Sequence, residues 1–236
     1  MNKFWDGLKH SSAFSFAFDG QGKTVQAEET EYFLYEAGSF PFVIFEEELH
    51  ALNDYCYMLA TQVEREAQRQ RERKKEMEIQ RQDRSIDDEW LMSAESERGK
   101  WSWLSDITIP YTVILLHSFL EKTMKYIFDV FDKENRFTDR PLIKRPYLYS
   151  WICSVLGMSK KEFEREYPSV FCILDECRKI RNNFAHESLE GVRLDGDYAY
   201  EERKLDPSFR LIDFISAITF ILHETEKMYE KNSENT

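Results

Sequence analysis

From Pro41 onward the apolar positions of this chain fall into a helical rhythm. Phe45, Leu49, Leu52, Cys56, Leu59 and Val63 recur at steps of three or four and predict a long amphipathic helix. The rhythm fades after Val63. Residues 64–89 are mostly Glu, Arg, Lys, Gln and Asp, with Ala67, Met77, Ile79 and Ile86 as apolar points. Mixed signs at this spacing permit i,i+4 pairs and suit a solvated helix or a flexible connector. The sharper alternative is a protruding arm that touches a partner or RNA. No a/d seam is sustained through the segment, so a long coiled coil is not expected. Trp90, Trp101 and Trp103 bracket the return to folded chain, and Pro110 suits the first position of a helix. That helix is apolar over a wide arc, through Val113, Leu116, Leu120, Met124 and Ile127. A third helix is predicted from about Tyr147 to Leu156, with Gly157 as its C-cap. Ser159 and Glu162 then read as a capping box.

A further helix begins near Pro168, with Ile173, Cys177, Ile180 and Phe184 as its apolar stripe. Residues 188–205 are polar, contain Gly191 and Gly196, and read as a loop. Asp206 and Pro207 suit the N-cap and first position of a last helix, nearly all-round apolar from Phe209 to Leu222. Before Pro41, Phe14, Phe16 and Phe18 alternate with smaller residues ahead of Asp19-Gly20-Gln21-Gly22. A short hairpin or an irregular aromatic arm fits that stretch. The pattern therefore predicts an all-α protein. Residues 1–104 are expected to form an N-terminal region, with a short hairpin or an irregular aromatic arm and a long charged helix, and residues 105–236 a helical bundle.

Composition narrows the function. Gly and Pro are scarce, at 8 and 6 of 236 residues, which favours helices over a turn-rich β fold. The net charge of −12 excludes a global pull towards nucleic acid or anionic membrane, so any nucleic-acid site must be a local basic patch. No stretch is apolar and long enough to span a membrane. Cys56, Cys153, Cys172 and Cys177 lie in hydrophobic surroundings without a paired framework, which suggests reduced, buried thiols in a cytoplasmic protein. Cys172-x4-Cys177 lacks zinc-site spacing and no H-E-x-x-H occurs, so neither a metal nor a cofactor is expected.

The most informative chemistry is Arg181-Asn182-Asn183-Phe184-Ala185-His186. Arginine grips phosphate oxygens in a fork at any relevant pH. Histidine moves protons near neutrality, and asparagine orients a group without adding charge. Arg178, Asn182 and His186 form a polar stripe at i, i+4 and i+8, with Arg181 to one side. On an ideal helix Arg181 and His186 point about 140° apart. For both to reach one phosphate, the helix should bend or end near Phe184. Arg178 and Lys179 are candidate substrate-binding cations or ordinary surface ones. His117 and Glu121, one turn apart on the more polar side of the central helix, either reach the cleft or form a half-buried polar pair.

Arg181-Asn182-x-x-Ala185-His186 resembles the Arg-x4-6-His signature of the HEPN superfamily, in which Asn often follows the Arg. The order of helices over the C-terminal half is also similar to that family's bundle. The resemblance implies metal-independent RNA cleavage, in which the ribose 2′-hydroxyl attacks the adjacent phosphate and leaves a 2′,3′-cyclic phosphate. It implies that His186 moves the proton, Arg181 stabilises charge and Asn182 orients the phosphate or His186. It implies a homodimer through the motif helix, with a composite cleft made basic by two copies of Arg178, Lys179 and Arg181. The function expected is a toxin or antiviral effector acting on RNA, with tRNA one candidate and an antitoxin or regulatory protein as partner. The alternative is a non-catalytic module that binds RNA, nucleotides or protein. In one toxin branch a tyrosine two residues after the histidine is modified by the antitoxin. Here that position is Ser188.

Overall fold

No glycine or proline interrupts the sequence between Val43 and Gln82, and in the computed structural model the whole stretch is one helix, α1 (Val43–Gln82). The structure describes residues 3–11, 17–18, 24–25, 34–82, 88–133, 148–187 and 209–233. The remaining helices are α2 (Asp88–Lys133), α3 (Leu148–Leu156), α4 (Lys160–Glu166), α5 (Pro168–Glu187) and α6 (Leu211–Ser233). The fold is all-α. A two-residue ladder, β1 (Ala17–Phe18) with β2 (Thr24–Val25), pairs antiparallel, with Ala17 against Val25 and Phe18 against Thr24. Among the described residues no helix is long and apolar enough to cross a membrane.

The charged stretch is a helix as far as Gln82. Glu, Arg, Lys and Gln have high helix propensity, and the surface is laced by Arg69–Glu66, Lys74–Glu78 and Gln68–Glu72 pairs. α1 and α2 form an antiparallel hairpin. Lys122 Nζ donates to Glu48 at 2.9 Å near its base, and Arg73 pairs with Glu97 farther out. Each step up α1 is therefore one step down α2.

Pro110 does not begin a helix; it lies inside the 46-residue α2. The ring leaves the Asp106 carbonyl without its helical donor. Two residues on, the Thr112 hydroxyl donates to the Thr108 carbonyl at 2.7 Å. α6 begins at Leu211, later than Asp206 and Pro207 suggest, and those two lie outside the described residues. The 188–205 loop also lies outside them.

α2 packs against α1, α3, α5 and α6. Leu116, Leu120 and Met124 of α2 share one core with Ile152, Phe163, Leu174, Phe214 and Ile218, all fully buried. The same core holds Phe4, Trp5, Tyr35 and Phe42. Tyr35 and the turn after it are fastened to α6 by Glu226, itself 5% exposed. That carboxylate accepts from the Tyr35 hydroxyl, the Ser39 N–H and the Ser39 hydroxyl, each at 2.7 Å. Burial and the Glu226 carboxylate both push the Tyr35 hydroxyl pKa up, so the phenol stays a donor.

The α3–α4 corner follows its sequence signals. Gly157 adopts φ 69°, and the Met158 N–H closes the helix end on the Cys153 carbonyl at 3.0 Å. Ser159 caps α4 by accepting from the Glu162 N–H, while the Glu162 carboxylate accepts from the Ser159 N–H at 2.7 Å. This corner sets the start of α5, whose first turn is tied to Tyr167 through the Phe171 N–H at 2.9 Å.

Candidate functional site

α5 buries Leu174 and Cys177 completely and Ile173 and Ile180 in part. Its core stripe is thus centred nearer Leu174 than the Ile173–Phe184 series suggests. Cys56, Cys153 and Cys177 are buried free thiols, while Cys172 is exposed. Burial pushes the Cys56 thiol up to about 12 and the Cys153 thiol up to about 11, so neither is a nucleophile near neutrality.

Arg181, Asn182 and His186 all lie within the single helix α5, which continues through Glu187. It does not end at Phe184. Arg181 and Asn182 are half-buried. The side chain of His186 lies outside the described residues. The bend or break that would bring positions 181 and 186 round to one phosphate is replaced by continuous helix, on which positions five residues apart lie about 140° apart around the axis.

The helix packing brings Arg181 to α2. Its Nη2 donates to Glu121 Oε2 at 3.4 Å. The same oxygen lies 3.8 Å from His117 Nδ1. His117 is not on an open polar side; it is 3% exposed, and neither ring nitrogen has a hydrogen-bond partner among the described residues. Its pKa falls to about 4, first through burial and then through the Arg181 and Arg178 charges. Glu121 alone would favour the charged ring, but Arg181 already engages that carboxylate and burial outweighs it. His117 is therefore neutral near pH 7 and is not poised as a general acid.

Arg178 donates through Nε and Nη2 to Asp175 Oδ1, at 3.1 and 2.8 Å. Lys179 reaches Asp175 Oδ2 at 3.2 Å and Glu176 at 3.6 Å. Burial works against charging Asp175, but the hydrogen bonds from Arg178 and Lys179 win and hold its carboxyl below the usual range. The hydrogen bond to Asp175 holds Lys179 above its usual range. Every candidate cation of α5 thus has an acidic partner within the chain. Asp175 and Glu176 were legible beforehand only as i,i+3 and i,i+4 partners of Arg178 and Lys179.

Among the described residues no group of three His, Cys, Asp or Glu side chains could hold a metal ion. What the arrangement offers is a guanidinium fixed by a carboxylate, with its remaining donors available to an anion, beside an amide on the same helix. Compared with protein-family models, curated proteins and solved structures, the chain matches none of them.

Proposed function

We propose that this chain is a metal-independent endoribonuclease of the HEPN type, acting as a homodimer. The observation that carries the reading is the single helix α5, which bears Arg181, Asn182 and His186, with Arg181 braced by Glu121 of α2. In the reaction the ribose 2′-oxygen bonds to the neighbouring phosphorus and the bond from phosphorus to the 5′-oxygen breaks. The 2′-hydroxyl gives up its proton and the departing 5′-oxygen gains one; His186 is the group that moves a proton. Arg181 stabilises the charge that grows on the phosphoryl oxygens, and Asn182 orients the phosphate or His186. Arg178 and Lys179 guide the RNA backbone. Because Arg181 and His186 diverge along one helix, the working cleft takes Arg181 from one copy and His186 from the other. The biological role that follows is a cytoplasmic toxin or antiviral effector, with tRNA a candidate target and an antitoxin or regulatory protein as restraint.

The paired charges of α5 favour a second reading, in which the same face binds RNA, a nucleotide or a protein without catalysis. Incubating the purified protein with total RNA and tRNA in excess EDTA separates the two. Fragments ending in 2′,3′-cyclic phosphate, made by the wild type and lost by about 10²-fold or more in Arg181→Ala and His186→Ala, are the expected result. Cleavage that survives both substitutions overturns the catalytic assignment. Absence of cleavage by the folded wild type leaves the binding module as the better reading.

A further inference from the structure

Apart from Phe40 just before it, every large apolar side chain exposed among the described residues belongs to the α1/α2 hairpin. Ile44, Tyr55 and Met58 are 62%, 45% and 57% exposed on α1. Tyr111 and Tyr126 are 56% and 52% exposed on α2. At 100° per residue, Ile44, Glu48, Ala51, Tyr55 and Met58 fall within an arc of about 80° on α1. On α2, the stripe from Tyr111 to Tyr126 that passes through Leu115, Ser118 and Lys122 is equally narrow. The Glu48–Lys122 ion pair joins the two stripes, so they flank one seam and form one face. This face is separate from the side of α2 where Glu121 meets α5.

The register of the hairpin gives the face an unusual property. Glu48 is level with Lys122, and Arg73 with Glu97. To within one residue, Ile44 is then level with Tyr126, Ala51 with Ser118, Tyr55 with Leu115, and Met58 with Tyr111. Ile79 and Met92, exposed farther out, obey the same register. A two-fold axis running along the hairpin exchanges α1 and α2 and keeps the level. It therefore lays apolar on aromatic at the ends, small on small at Ala51 and Ser118, and Glu48 on the partner's Lys122. An axis running across the hairpin sets α1 on α1 instead. It brings Glu48 level with Asp54 and Tyr55, and Lys122 level with Leu115, which gives neither charge an opposite partner on the second copy.

We propose that this face docks a second copy of the same chain about the axis along the hairpin, making an antiparallel four-helix bundle in which each α1 lies on the partner's α2. The Glu48–Lys122 pairs of the two chains become a square of alternating charge at the centre, with exposed aromatic and aliphatic side chains closing over both sides. The interface is additional to any pairing of the α5 helices. A chain using both assembles beyond a dimer.

The test is molar mass by light scattering over a dilution series of the full chain, with circular dichroism melting to show that each variant folds. The wild type self-associates. Met58→Glu, an exposed position, halves the limiting mass. Glu48→Lys and Lys122→Glu each weaken association by about tenfold or more, and the double charge swap restores it to within about threefold. A mass that Met58→Glu and Glu48→Lys leave unchanged overturns the proposal. So does a double swap as weak as the single variants, because the charge square then does not exist. The readout needs neither RNA nor cleavage, so it fails independently of the ribonuclease reading.

Discussion

At His117 the fold keeps an imidazole where it resists charging, and this gives stability a pH dependence of known sign. In the unfolded chain the ring takes a proton near pH 6.5; in the fold it does so near pH 4. Between those values the unfolded state binds more protons, so the contribution present above pH 6.5 is lost as pH falls towards 4. The shift corresponds to about 3 kcal/mol at its limit. His117→Phe should therefore lose about 2–3 kcal/mol less stability than the wild type between pH 7 and about 4.5, read from urea midpoints at each pH. Other carboxylates titrate in that window in both proteins and cancel in the difference. Parallel stability–pH curves for the two proteins would mean that the ring titrates alike in the folded and unfolded chain, and a wild type that gains on the variant as pH falls would mean that Glu121 holds the ring charged; either overturns the burial argument. The candidate site was only partly legible at this scale. Arg181, Asn182 and His186 declare themselves through residue type and spacing. That Arg181 and His117 converge on one Glu121 oxygen does not, because the contact depends on how α2 and α5 pack.

Between elements, the Glu226 carboxylate ties Tyr35 and Ser39, ahead of α1, to α6. Hydrogen bonds to a charged acceptor contribute about 1.5–3 kcal/mol each, and donors left buried without a partner cost as much again. Glu226→Ala should cost about 3 kcal/mol, and Tyr35→Phe about 1 kcal/mol. The double variant should cost less than the two singles together, since the Tyr35–Glu226 bond is lost once only. Additive costs in urea unfolding would mean that the 2.7 Å contact contributes nothing. No sequence pattern links Tyr35 to a residue almost two hundred positions away. The elements legible in the sequence are those whose signals are local: the Gly157 helix end, the Ser159–Glu162 capping box, the start of α5 at Pro168. Pro110 misleads for a physical reason. A proline at the first turn and one in a helix interior need the same φ and both lack an N–H, so only the conformation of residues 88–109 tells them apart. The weak apolar rhythm of that stretch hides its helicity, which the hairpin with α1 supports.

For the whole molecule, the proposed ribonuclease reading turns on how many chains would build its cleft, because Arg181 and His186 lie five residues apart on one continuous helix. Residues about 140° apart on a helix that runs on through Glu187 do not face the same phosphate. In a symmetric pair of α5 helices, Arg181 of one copy and His186 of the other can face it, twice over. That arrangement has a consequence that single substitutions do not reveal. A chain with Arg181→Ala still supplies His186, and a chain with His186→Ala still supplies Arg181. Each variant alone makes only defective clefts. Mixed and allowed to exchange, half the dimers hold one chain of each kind, and each of those keeps one complete cleft of two. The mixture should therefore recover about a quarter of the wild-type cleavage rate from two inactive preparations, if exchange is random and the clefts act independently. RNA cleavage in EDTA, followed before and after mixing, reads this directly. Recovery places the two groups on opposite chains and links the acidic, charge-paired single chain to a working site that exists only in the assembly. A mixture as inactive as its components, with subunit exchange verified by mass, would put Arg181 and His186 to work within one chain and require α5 to bend when RNA binds.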